Sequence, residues 1–147
     1  MMRRIIETTE ARKGYASSLA LNPVDAHNTY HAVASSATQL ASGIGAVCIV
    51  GFSSTGTTGV RLSRERPDLP IYLITPSQRA RQRLGFTWGI TSILSPHFDS
   101  FDEALTEISA LLLANTDCQS GDTVVVVAGT PFGVAGSTNT IRALTLQ

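Results

Sequence analysis

Ala46-Val47-Cys48-Ile49-Val50, followed by Gly51-Phe52-Ser53-Ser54-Thr55-Gly56-Thr57-Thr58, decides the fold. The first five residues form a short, continuous, largely β-branched run, the pattern of a strand buried on both faces. The polar, glycine-containing stretch over 53–58 reads as a turn, and Thr58–Arg66 as a short helix leaving it. A buried strand, a glycine turn and a helix in that order open a βαβ unit.

The same alternation continues downstream. Pro67 and Pro70 bracket a turn before the strand Ile71–Ile74, and a helix is expected over Ser77–Phe86. Ile90–Leu94 reads as a third strand. Ser100–Asn115 reads as an amphipathic helix, with Ser100 and Glu103 spaced as a capping box. Val124–Val127 is a fourth, buried strand and Ile141–Leu146 a fifth, more alternating one. The loop between these last two has no room for a helix, so they are expected to pair antiparallel.

Upstream, Met1–Leu19 reads as a helix with Ile5, Ile6 and Thr9 on one side. Leu21-Asn22-Pro23-Val24-Asp25 interrupts it, because proline disfavours helix at and before itself. A second helix should start at Asn28 or Thr29, carry Val33, Ala37, Leu40, Ala41 and Ile44 on its apolar side, and end at Gly43-Ile44-Gly45. The expected fold is a three-layer α/β/α domain whose five-stranded, mainly parallel sheet has an antiparallel last strand. Residues 1–19 form its opening helix and 28–147 its α/β body.

Composition narrows the function. The chain has 147 residues, 43% of them hydrophobic, enough for one core. Charged residues make up 15%, against roughly 25% in an average soluble domain. Eleven basic and eleven acidic side chains cancel, with none of the basic excess of a nucleic-acid binder. The longest apolar runs, Ala46–Gly51 and Val124–Gly129, fall far short of the roughly 20 residues that span a bilayer. Glu7 and Glu10 stand where a secretory signal needs an apolar stretch. Two cysteines, Cys48 and Cys118, are too few for a disulfide scaffold or a closed zinc site. A soluble, cytoplasmic domain is expected.

Two loops stand out chemically. Gly51–Thr58 lies one residue from the phosphate-loop pattern G-x-x-x-x-G-K-[ST], with Thr57 in place of the lysine. Nucleotide hydrolysis is therefore not expected. Backbone N–H groups and the hydroxyls of Ser53, Ser54, Thr55, Thr57 and Thr58 still suit a smaller anion. The plainer reading is a capped turn whose Ser and Thr side chains serve its own backbone. Gly129–Asn139 holds three glycines and a proline and also follows a strand. Ligands in open α/β sheets sit outside the strands' carboxyl ends, so the two loops can converge on one crevice. A long hairpin without a ligand is the alternative.

The remaining candidates are weaker. Asp25, His27 and His31 offer a conceivable metal site, although two exposed histidines near a helix start explain them adequately. Cys48 reads as an inert packed thiol, Trp88 as a packing residue, and Arg79, Arg81 and Arg83 as a solvated face where an anion contact is possible. No nucleophile, base and orienting group can be named together.

Taken in order, these residues resemble the C-terminal domain of bacterial pyruvate kinases. The likeness rests on Ser53-Ser54-Thr55-Gly56-Thr57-Thr58, Arg64-Glu65-Arg66-Pro67, Thr75-Pro76, Arg83-Leu84 with Trp88-Gly89-Ile90, and Ser120-Gly121-Asp122-Thr123-Val124-Val125-Val126. It ends with Ala128–Gly133 and Gly136-Ser137-Thr138-Asn139-Thr140-Ile141-Arg142. It runs nearly end to end, and Met1–Ile6 is similar to the family's interdomain helix. Because pyruvate kinases are several times larger, the chain looks like a fragment that begins just after the catalytic barrel.

The resemblance implies that phosphoenolpyruvate, ADP, Mg2+ and K+ bind in a barrel outside this chain, which alone would be inactive. It implies a regulatory and oligomerising role for this domain. The family's sugar-phosphate or AMP site falls on Ser53, Ser54, Thr55, Gly56, Thr57, Thr58, Gly133, Gly136 and Ser137. Departures are Thr57, where many effector-sensitive members carry Lys or Arg, and Gly51 and Gly59, which replace bulkier residues. Two other readings remain: a purely structural domain, and a free-standing small protein of this fold that binds a phosphorylated ligand or acts on one.

Overall fold

A computed structural model describes residues 2–12, 15, 28–132, 134 and 137–147. Five strands form one sheet: β1 (Cys48–Phe52), β2 (Ile71–Thr75), β3 (Ile90–Leu94), β4 (Thr123–Ala128) and β5 (Thr140–Thr145), in the order β3-β2-β1-β4-β5. Neighbours run parallel except β4 and β5, which pair antiparallel from Thr123–Thr145 to Ala128–Thr140. The described helices are α1 (Met2–Glu10), α2 (Thr29–Gly43), α3 (Thr57–Arg64), α4 (Gln78–Leu84) and α5 (Phe101–Asn115).

Strand alternation divides the core into two layers. Cys48, Val50 and Phe52 of β1 join Val124, Val126 and Ala128 of β4 on the face covered by Ala104, Ile108 and Leu112 of α5. Ile49, Val125 and Val127 point the other way, against Ala34, Ala37 and Ala41 of α2 and Leu62 of α3. This is the three-layer mixed sheet expected from the sequence.

Several boundaries differ from the expectation. β1 starts at Cys48 rather than Ala46 and runs on through Gly51 and Phe52, because pairing with β2 extends to Phe52 opposite Ile74. Leu40 of α2 and Ile44, which follows the helix, are exposed, not core. The helix instead meets the sheet on alanines 34, 37 and 41, whose small side chains let the backbone approach closely. The opening helix ends at Glu10 in a turn where the Arg12 N–H donates to the Thr9 carbonyl (3.3 Å). The break expected around Pro23 lies outside the described residues.

Caps follow their chemistry. The Asn28 side chain accepts from the Tyr30 N–H (3.0 Å) and starts α2. Ser100 accepts from the Glu103 N–H (3.1 Å), while Glu103 reaches back to the Asp99 N–H (2.8 Å). α1 buries no residue, and Met2, Ile5 and Ile6 are all more than half exposed. Its end is tied to the body where the Trp88 indole N–H donates to Glu10 Oε1 (2.6 Å) and the Arg66 guanidinium lies 4.4 Å over the Trp88 ring. Among the described residues no helix is long and apolar enough to cross a membrane.

Candidate functional site

The sheet order places β2 on one side of β1 and β4 on the other. The chain leaving β1 therefore turns away from the chain leaving β4, and a crevice opens between their carboxyl ends. A cleft partly open to solvent lies there. Ser53, Ser54, Thr55 and Thr58 line it from the loop after β1, and Gly129, Phe132, Val134 and Ser137 from the loop after β4. The two loops singled out in the sequence thus share one cleft. The ends of β2 and β3 complete it with Ile74, Pro76, Ser95, His97 and Phe98.

The first loop is shaped by its own hydroxyls. Ser53 Oγ accepts from the Gly56 N–H (2.9 Å), and Thr55 Oγ1 lies 2.8 Å from Thr57 Oγ1. Gly56 caps α3 with φ of 84°, a left-handed conformation for which glycine is suited. Arg83 of α4 donates from Nη2 to the Thr55 carbonyl, so this arginine holds the loop rather than lying on a solvated face. Gly56 and Thr57 do not line the cleft. The Thr57 hydroxyl meets that of Thr55 within the loop.

Thr58 is buried and lines the cleft. Its hydroxyl lies 3.0 Å from that of buried Thr138, which accepts from Arg61 Nη1 (2.8 Å). Arg61 also lies 4.6 Å over the Tyr30 ring. Partial burial lowers its pKa from the ordinary arginine value. This chain of contacts ties α2, α3 and the residues before β5 together behind the cleft.

The second loop closes at its base through Asn139, which accepts from the Thr130 N–H (2.8 Å) and donates to the Thr130 carbonyl (2.6 Å). At Gly129 a Cβ would stand 1.5 Å from the Ser137 carbonyl oxygen, so the two ends of this loop touch with no space for a side chain. Gly133 and Gly136 lie outside the described residues, as do Asp25 and His27. Among the described residues no group of three or more His, Cys, Asp or Glu is placed to hold a metal.

Phe52, Phe98 and Phe132 give the cleft an aromatic floor, with Phe52 6.1 Å from both other rings. Sequence reasoning missed His97, Phe98 and Pro76. The rule that ligands lie beyond carboxyl ends, applied to β2 and β3 as well as β1, would have pointed to them. Hydroxyls, loop amides, one imidazole and an apolar floor suit a small molecule that combines an anionic group with a less polar body.

The family model for the pyruvate kinase alpha/beta domain matches residues 31–144. The chain belongs to this family. It is similar to a pyruvate kinase of Agrobacterium vitis, 42% identical over 143 residues, which is 97% of this chain and 30% of that protein. A second Agrobacterium vitis pyruvate kinase is 37% identical over 145 residues, again 30% of its length. One from Corynebacterium glutamicum is 38% identical over 107 residues, 73% of this chain and 22% of that protein. The chain thus spans less than a third of these curated relatives, and it has the fold of a pyruvate kinase C-terminal domain.

Proposed function

We propose that this pyruvate kinase C-terminal domain is a regulatory and oligomerising unit that binds the phosphate of a small phosphorylated metabolite in the cleft beyond β1 and β4. In this reading it has no catalytic centre of its own. The transfer of phosphate from phosphoenolpyruvate to ADP belongs to a barrel elsewhere in a longer, cytoplasmic polypeptide, and Mg2+ and K+ would serve there.

The observation that carries the proposal is the convergence of Ser53, Ser54, Thr55, Thr58 and Ser137 on one cleft at the start of α3. Ser53 accepts from the Gly56 N–H, which leaves its own proton free to donate to a phosphate oxygen. The helix start adds the positive end of the α3 dipole. Exposed Met2, Ile5 and Ile6 offer an apolar face on which a neighbouring barrel can pack. Ligand binding would bias that barrel only through different affinities for two arrangements of the domains.

A purely structural role is favoured by one observation: Ser53, Thr55 and Thr57 satisfy groups within their own loop. Calorimetric titration with fructose 1,6-bisphosphate, glucose 6-phosphate, ribose 5-phosphate and AMP separates the readings. Ser53→Asp is the informative variant, since a carboxylate can still accept from the Gly56 N–H while repelling phosphate. We expect binding of at least one ligand, weakened at least about tenfold by Ser53→Asp, a loss of roughly 1.4 kcal/mol. No heat with any ligand, or equal binding by the variant, contradicts the effector site.

A further inference from the structure

We propose that Cys48 and Cys118 form a reversible oxidation site, in which the two thiols are converted to an intramolecular disulfide at the end of the sheet opposite the cleft. They are the only cysteines in the chain and stand 70 positions apart in sequence. The fold nevertheless brings their sulfurs to 3.9 Å. Cys48 opens β1, whereas the cleft begins at Phe52, the other end of that strand.

The two thiols differ in a way that suits the chemistry. Cys48 is fully buried, and Cys118 is half-buried in the loop between α5 and β4. Burial, and then the neighbouring Cys118, push the Cys48 thiol above its ordinary range, which makes it the poorer first nucleophile. Cys118 is the sulfur that an oxidant reaches first. Its flanking residues Asp117 and Gln119 are exposed, and Cys118 is anchored through its N–H to Thr116 Oγ1 (3.1 Å). Closing the gap to a disulfide bond of about 2.0 Å takes a shift of about 1.9 Å, shared between a loop side chain and a strand side chain.

With hydrogen peroxide as oxidant, the Cys118 sulfur attacks one oxygen and the O–O bond breaks. This leaves a sulfenic acid on Cys118 and releases one water. The Cys48 sulfur then displaces the sulfenic oxygen. The S–S bond forms, and the oxygen leaves as a second water that carries the Cys48 proton. Two thiols are oxidised and one peroxide is reduced to two waters. A dithiol reductant reverses the change by exchange.

The test exposes the reduced full chain to graded hydrogen peroxide, then alkylates it under denaturing conditions and analyses it by mass spectrometry. We expect both cysteines to escape alkylation together in a monomer lighter by two hydrogen atoms. A tryptic species should join the peptides of Cys48 and Cys118, and dithiothreitol should restore both thiols. Accumulation of Cys118 sulfinic acid beside an alkylatable Cys48, or a dimer linked through Cys118, overturns the proposal. Two variants sharpen it. In Cys48→Ala, Cys118 should proceed to the sulfinic acid; an oxidation pattern like that of the unchanged chain contradicts the pairing. In Cys118→Ser, which alters only a half-exposed loop position, Cys48 should survive as a thiol; its oxidation at the original rate contradicts the assigned order.

Discussion

At Gly129 a single hydrogen atom on the α-carbon decides whether the second loop can close. A methyl group there would overlap the Ser137 carbonyl. Gly129→Ala should therefore destabilise the domain by about 2 kcal/mol or more in urea unfolding, because backbone must move. At Gly43, at the end of α2, a methyl group would have nothing within 4 Å of it. Gly43→Ala should be neutral or stabilising by up to about 1 kcal/mol. Equal effects at the two positions would contradict the loop closure. The sequence marked the loop as glycine-rich, but not which glycine is indispensable, since that depends on a carbonyl eight residues away. Thr57 teaches the same lesson. Its identity as the residue in place of a lysine was legible, whereas its turn toward Thr55 was not. Arg83 was equally hidden, because its partner is a carbonyl 28 residues away on another element.

Among the elements, the strands and α5 were legible because their signals are local: continuous β-branched runs for β1 and β4, and Ser100 with Glu103 for the start of α5. α2 was harder. Helical periodicity grouped Leu40 and Ile44 with Ala37 and Ala41, but the helix docks on its alanine stripe and leaves the larger side chains outside. Hydrophobicity alone does not report how closely a helix approaches a sheet. Ala37→Leu should accordingly cost about 1–3 kcal/mol through overpacking, while Leu40→Ala should stay within about 0.5 kcal/mol of the parent. Thermal unfolding followed by circular dichroism ranks them. A larger loss for Leu40→Ala would mean that the helix face has been misassigned.

For the molecule as a whole, the order β3-β2-β1-β4-β5 explains why two loops some 75 residues apart meet. Alternating strands and helices made the parallel sheet readable, and the short last connection made the antiparallel pair readable. The parts of the cleft supplied by β2 and β3 were within reach of the same carboxyl-end rule, but that these strands border this crevice came only from the assembled sheet. The carboxyl end of the parallel strands carries the cleft and the other end the thiol pair, so ligand binding and oxidation can be read separately on one molecule. The most direct test of the central claim is an assigned amide NMR spectrum of the full chain titrated with AMP and with fructose 1,6-bisphosphate. One of them should shift the amides of Ser53–Thr58 and Ser137 while the Cys48 and Cys118 amides stay in place. Resonances that remain still up to about 10 mM ligand, a bound state worth less than roughly 3 kcal/mol, or that move only elsewhere, would contradict it.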